Sequence, residues 1–368
     1  MRGYIVKRGA NSWRIQIELD RVGGKRHRRF VTVKGTRKDA QRELARLLVS
    51  ADTGTLPADP TQATVGEYVT ASLDSRADLS PKTLERYREL ARHQIVPHVG
   101  EVKLQKLRPE HIEHWHAALL AKGLSARTVR HAHRLLSSVL KRAVENGAVA
   151  RNVAAIRRPP AVEERELEIL TPEQIAAVLN SLKGHALHPI VTLALATGMR
   201  RGELLALQWC DVDLDAGKLR VERSVEETKA GLRIKPPKTK RGRRTITLPA
   251  GAIALLRAHK IEQMQLRLKL GQSGPPTLLF GTIDGALLSP NNVTRAWYRA
   301  CRKAGLPGLS FHALRHTHAS LLIAGGEDLL VVSRRLGHAK ASVTLDVYAH
   351  LLDGADAGAA KTIEKALK

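Results

Sequence analysis

Residues 309–350 read LSFHALRHTHASLLIAGGEDLLVVSRRLGHAKASVTLDVYAH. His312 and Arg315 lie three apart in a helical pattern and therefore share a face. Leu314, Ala319, Leu321, Leu322 and Ile323 supply an apolar stripe for burial, and Gly325-Gly326 ends the helix. A second short helix is expected from about Asp328 to Leu336, stopped by Gly337. His338 follows that stop, and Tyr348 falls ten residues later on a further helical segment. A His and an Arg three apart are most often a solvated helix face, and a lone Tyr is most often half-buried packing. What this stretch means therefore depends on what the rest of the chain carries.

The chain has 368 residues, a length suited to two or three domains. Hydrophobic residues make up 43%, enough for real cores, but aromatics only 3%, so those cores are built from Leu, Val, Ile and Ala. Sixty-one Lys+Arg against 35 Asp+Glu give a net charge of +26. A charge of that size points to a polyanion, by default nucleic acid. Few aromatics argue against stacking on single strands, whereas duplex DNA is gripped through its phosphates. The two cysteines, Cys210 and Cys301, form neither a disulfide framework nor a zinc motif. The N-terminus lacks the apolar region of a signal peptide, and no apolar run approaches the ~20 residues of a membrane span. A cytoplasmic protein with no membrane partner is expected.

Residues 1–57 read as a small separate module. Tyr4–Val6, Trp13–Leu19 and Arg28–Val33 have the pattern of three short strands, and Trp13, Ile15, Ile17 and Leu19 alternate with polar residues. Thr36 then opens a helix with Ala40, Leu44, Leu47 and Leu48 on one face. Residues 1–48 hold 14 Lys+Arg and 4 Asp+Glu, a net +10. A basic three-stranded sheet with a helix suits a sheet laid against DNA. Residues 50–63 are a Pro/Gly-containing linker. Residues 62–157 read as an all-helical domain. Its helices open at Ser80-Pro81, at Arg108-Pro109 and at Ser125, and the last carries a buried stripe of Val129, Leu135, Leu136, Val139, Leu140 and Val144. His111, His114 and His116 on the middle helix lack a carboxylate or Cys to complete a metal site, and are expected to face solvent or DNA.

Residues 165–368 form the third domain, mainly helical with a small antiparallel sheet. Thr171-Pro172-Glu173-Gln174 is a capping box. In residues 188–209, HPIVTLALATGMRRGELLALQW, Gly198 breaks the pattern where two helices meet; Arg200 lies just beyond, and Glu203 is placed to pair with it. Val212, Leu214, Leu219 and Val221 flank a turn at Asp215–Gly217. The acidic run at 211–215 mimics a calcium loop, but Ala216 stands where the loop needs Gly, so strand and turn are expected. Ile234–Pro249 reads as a second hairpin with Arg241-Gly242 at its tip and Lys238 on it.

Arg200, Lys238, His312, Arg315, His338 and Tyr348 thus occur in that order. The set resembles the tyrosine recombinase, or phage integrase, family: TGMRRGELLALQW looks like its first-arginine box, PKTKRGRRTITLP like its lysine hairpin, HALRHTHAS like its HxxRH box, and LGH with TLDVYAH like its nucleophile box. The likeness is strong over about 165–355. Residues 64–156 look like the family's helical core-binding domain, and the N-terminal module resembles, more weakly, the arm-type DNA-binding domain of mobile-element integrases. That module favours an integrase over a chromosome-dimer resolvase.

The residue types suit the chemistry. Two guanidiniums, Arg200 and Arg315, can hold the phosphoryl oxygens of DNA by forked hydrogen bonds. Tyr348, with a phenol pKa near ~10, needs its anion favoured to become a nucleophile, and surrounding positive charge does that. Lys238 can protonate the departing 5′ oxygen as general acid. His312 and His338 can donate to the phosphate or relay a proton, and sequence does not choose the base between them. The resemblance implies a covalent phosphotyrosine on the DNA 3′ end, with no metal, ATP or other cofactor. His312 and His316 are four apart like a zinc helix, but Ala313 stands where the helix needs Glu. The resemblance further implies a homotetramer on duplex DNA with core and arm sites, a tail helix through Ala360, Ile363 and Leu367 docking on a neighbouring subunit, and helper proteins: a DNA-bending host factor and an excision directionality factor. The alternatives are a single-site DNA-relaxing enzyme with the same nucleophile and a catalytically silent DNA-binding regulator. A metal nuclease would differ from all three in needing its metal.

Overall fold

The computed structural model describes residues 2–22, 25–52, 62–163, 167–237 and 239–348, with 363, 364 and 367 near the C-terminus. It divides into two compact units, Met1–Glu164 and Arg165–Lys368.

The first unit holds two separate hydrophobic cores. In the smaller, strands β1 (Arg2–Gly9), β2 (Ser12–Val22) and β3 (Lys25–Lys34) form an antiparallel sheet in that order. Ile15 and Ile17 are fully buried from β2, as the alternation predicts, against Leu47 of helix α1 (Arg37–Asp52). Thr36 and Asp39 exchange backbone-to-side-chain hydrogen bonds of 2.9 and 3.3 Å at the helix start. The strands run longer than the sequence pattern suggests, because backbone pairing continues past the alternating segments, as at Arg2–Glu18 and Val22–Lys25.

The larger core is helical: α2 (Val65–Asp74), α3 (Pro81–Leu90), α4 (Val96–Val99), α5 (Pro109–Ala121) and α6 (Ala126–Glu145). Ser80 and Ser125 cap α3 and α6 as expected. The α6 stripe is buried from Val129 to Leu140, but its last member is Ala143, with Val144 only half-buried. On α5 the expectation fails at His116. His114 is exposed, but His116 is 8% exposed, and its Nε2 shares a 3.1 Å hydrogen bond with Nδ1 of the buried His133 on α6. The helical period carries His116 onto the same face as Ile112 and Leu119, and a partner across the interface makes burial tolerable.

The second unit begins with α7 (Pro172–Ser181), closed by the expected Thr171–Gln174 capping box, and α8 (Leu187–Thr197). Gly198 ends α8 at φ 64°, and only one helical turn follows, α9 (Arg201–Leu204). Then come β4 (Val212–Asp213), β5 (Lys218–Val221), β6 (Ser224–Thr228), β7 (Gly231–Lys235) and β8 (Arg244–Thr247). The run 211–215 is strand and turn, as read. Ile234–Pro249 is not a hairpin of its own. Its first strand, β7, pairs with β6, while its second, β8, pairs with β5 in a sheet ordered β4-β5-β8. The inward pair Leu219–Ile246 places both side chains in the core, and that gain outweighs the local turn. Helices α10 (Ala250–Lys269), α11 (Pro290–Lys303), α12 (Ala313–Ala324), α13 (Leu329–Leu336) and α14 (Ser342–Tyr348) complete the unit. Trp297, Leu193, Leu204 and Leu279 are fully buried at its centre together with Cys301, whereas Cys210 is exposed. Of the expected α12 stripe, Leu314, Ala319 and Ile323 are buried, whereas Leu321 is 47% exposed. Among the described residues no helix is long and apolar enough to cross a membrane.

Burial pushes His133 down to about 4, with the neighbouring His116 adding to it, and His116 itself lies below its ordinary value for the same first reason. Unfolding returns both to ordinary imidazoles near ~6.5, so the unfolded chain binds protons first. The pair's stabilisation is therefore complete above about pH 6.5 and is lost as pH falls toward about 4. Urea unfolding across this window should show a loss of up to about 3 kcal/mol, and a shallower dependence in His133→Gln.

Candidate active site

The C-terminal ends of α8 and α13 meet at Arg315. Its Nη1 donates to Gly198 O and its Nη2 to Leu336 O, both at 2.8 Å, and the residue is 3% exposed. Arg200, just beyond the α8 break, donates from Nη2 to the next carbonyl, Gly337 O, at 3.5 Å. The two guanidiniums thus rest on consecutive carbonyls of one helix end, where the peptide dipoles present partial negative charge. Both helices end on a left-handed glycine. A Cβ at Gly198 would lie 2.5 Å from His318 Cδ2, and one at Gly337 would lie 2.9 Å from Arg244 Nη1, so neither position accepts a side chain.

Glu203 fixes the direction of Arg200, as its spacing predicts. Its carboxylate accepts Arg200 Nη1 and Arg244 Nη2, each at 2.9 Å, and it is 3% exposed. Burial works against its charge, but Arg244 and Arg200 outweigh that and hold the carboxyl below its usual range. Arg244 also donates from Nε to Arg335 O at 2.6 Å, tying β8 to α13.

His312 precedes α12, and His338 follows Gly337. Each is pushed down to about 4, first by burial; neighbouring His316 and Arg315 add to it at His312, and Arg315, Arg200 and Arg244 at His338. Both are neutral at neutral pH. His338 Nδ1 shares a 2.8 Å hydrogen bond with Thr344 Oγ1. Burial and then Arg200 press Arg315 down to about 9, so it stays a cation. Tyr348 ends α14 with its ring in a cluster with Ala319, Ile323, Val332 and Leu336, and is 1% exposed. Burial pushes its phenol up to about 12, against the pull of Arg315. Its hydroxyl is 2.8 Å from His316 Nδ1. Five of the six residues singled out in the sequence therefore gather at the α8–α13 junction; Lys238 lies outside the described residues.

Three contributors were missed. Arg244 has the same strand parity as the inward Ile246 and Leu248, and that parity was its signal. His316 closes the HxxRH box one helical turn beyond His312, and its spacing from His312 was its signal. His318 accepts Arg335 Nε at 3.1 Å and bonds Leu195 O at 2.7 Å, a scaffold contact with no local signature. Among the described residues no group of three or more His, Cys, Asp or Glu is placed to hold a metal ion.

The phage integrase family pattern matches residues 168–354, and that of the N-terminal SAM-like domain of phage integrases matches residues 72–120. A tyrosine recombinase XerC-like protein of Caldanaerobacter subterraneus subsp. tengcongensis is 29% identical, covering 97% of this chain and 97% of its own. An integrase of Streptomyces ambofaciens is 33% identical over 85% of this chain and 82% of its own. The Tn1549 transposon integrase, solved in complex with transposon right end DNA, shares the fold with a TM-score of 0.71 at 21% identity, over 81% of this chain and 99% of that one.

Glu203→Gln removes the carboxylate that joins Arg200 to Arg244 and leaves buried guanidinium charge uncompensated. It should lower the unfolding free energy by about 3 kcal/mol in urea titration. A loss below about 0.5 kcal/mol would show that the bridge does not organise the site.

Proposed function

This chain belongs to the phage integrase family and is a site-specific DNA recombinase that integrates mobile elements, and we propose that Arg200, Lys238, His312, Arg315, His338 and Tyr348 carry its strand cleavage and rejoining. The observation that supports this most is the seating of Arg200 and Arg315 on consecutive carbonyls of α13, with His338 and Tyr348 following on the same stretch of chain. Displacement at a phosphodiester gathers negative charge on the phosphoryl oxygens, and preset cations stabilise it most where burial has excluded water. In the proposed cycle the two arginines hold those oxygens while Tyr348 Oη attacks phosphorus. The P–O5′ bond breaks, and Lys238 gives the leaving oxygen its proton. The covalent 3′-phosphotyrosine keeps the phosphodiester's energy, so a 5′ hydroxyl of another strand reverses the step without ATP.

The proposed division of labour follows the chain. Residues 1–57 bind arm sites through the basic sheet, 62–157 grip the core site, and 165–368 perform the chemistry. Two DNA-binding parts on one chain raise the effective concentration of each for its site when the DNA is bent. Exchange between two duplexes involves four strands, which calls for four subunits. The tail supports assembly of this tetramer: Ile363 and Leu367 are 60% and 82% exposed, while Ala360 lies outside the described residues. A DNA-bending host factor and an excision directionality factor belong to the same proposal, as does a cytoplasmic location.

The test is a nicked suicide substrate from the element's junction, in EDTA and without ATP. The wild type should form a covalent protein–DNA adduct and Tyr348→Phe none. Arg315→Ala should slow adduct formation by roughly 10²–10³. A wild type that binds the junction yet forms no adduct would refute the assignment.

A further inference from the structure

His316 belongs to no part of the cycle above, yet it holds the one atom on which that cycle turns. Its Nδ1 lies 2.8 Å from Tyr348 Oη, within hydrogen-bond range. Its ring is 5.9 Å from the Tyr348 ring and stands edge-on to His312 at 4.8 Å. The imidazole thus fills the space between the phenol and the histidine beside the arginines. Neither His312 nor His338 has a comparable contact among the described residues: His338 Nδ1 is engaged by Thr344.

We propose that His316 is the base that takes the Tyr348 proton as the phenol attacks DNA. The inference rests on Tyr348 being the nucleophile. In the step, the Oη–P bond forms and the P–O5′ bond breaks. The phenol proton passes to His316 Nδ1, and O5′ receives its proton from the general acid. Ligation runs the same path backward: His316 returns the proton to the departing phenol oxygen.

The electrostatics suit a base rather than an acid. Burial first, then Arg315, keeps His316 below its ordinary value, against a smaller opposing pull from Glu168. The groups facing it are His312 just before its helix, Arg315 on that helix, Tyr348 on α14, and Glu168. It is therefore neutral at neutral pH and accepts through Nδ1 when the other nitrogen bears its proton. The buried phenol, pushed up to about 12, does not ionise by itself at neutral pH. Nor does it need to. As oxygen bonds to phosphorus it ceases to be basic, so its proton becomes transferable during the attack to a base of ordinary strength. A base already in contact with that proton needs no rearrangement to accept it.

The experiment measures single-turnover adduct formation on the nicked junction by full-length protein, with binding checked separately. His316→Asn keeps a polar group near Nδ1 but does not accept the proton. It should bind the junction as the wild type does and cleave roughly 10²–10⁴ times more slowly. Its rate should climb with hydroxide from about pH 6 to about pH 9, whereas the wild-type rate levels off once the imidazole is neutral. Added imidazole should restore part of the rate to His316→Ala, an effect that a packing role would not produce. A His316→Asn rate within about threefold of wild type and with the same pH profile would overturn the assignment. So would His316→Ala that binds the junction but gains nothing from imidazole. An adduct formed by Tyr348→Phe would instead remove the nucleophile reading on which the inference stands.

Discussion

A buried guanidinium held between two helix ends is the constraint on which the site depends. Arg315 is 3% exposed, and a charge so placed is costly unless its donors are satisfied. Gly198 O and Leu336 O satisfy two of them with the negative ends of α8 and α13. The same bonds fix the distance between the two helices, and with it the positions of Arg200, which follows α8, and His338, which follows α13. The left-handed glycines allow the carbonyls to turn toward the arginine at the point where each helix stops.

Around that centre the charges are deliberately unbalanced. Glu203 joins Arg200 to Arg244, while Arg315 is held by carbonyl dipoles alone among the contacts described. Burial first, and then the field of these cations, keeps His312 and His338 neutral, and Arg315 draws on Tyr348 against the effect of burial. An anion entering the site brings the missing counter-charge. The arrangement is preset, so little reorganisation accompanies the reaction. Packing sets the limit on the other side: Tyr348 belongs to the small core between α12 and α13, which trades nucleophile exposure for stability.

Much of this was legible in the chain. Capping residues at Ser80, Ser125 and Thr171 marked helix starts because their side chains act locally. The ends at Gly198 and Gly337 were legible because left-handed backbone nearly demands glycine. The Arg200–Glu203 pair was legible because three residues make one helical turn. What escaped was decided by tertiary contact. His116 looked polar until His133 came to meet it, seventeen residues away in the next helix. Ile234–Pro249 looked like a hairpin until its strands found partners in different sheets. His316 and Arg244 stood inside stretches already quoted, but only the packing of α14 against α12 and of β8 against α13 gave them partners.

The two cysteines differ in a way that has practical value. Cys301 is fully buried, and burial alone pushes its thiol up to about 12, leaving almost no thiolate at neutral pH. Cys210 is exposed. A maleimide dye should therefore mark the native protein at a single position, giving a fluorescent handle on the recombinase unit without prior mutagenesis.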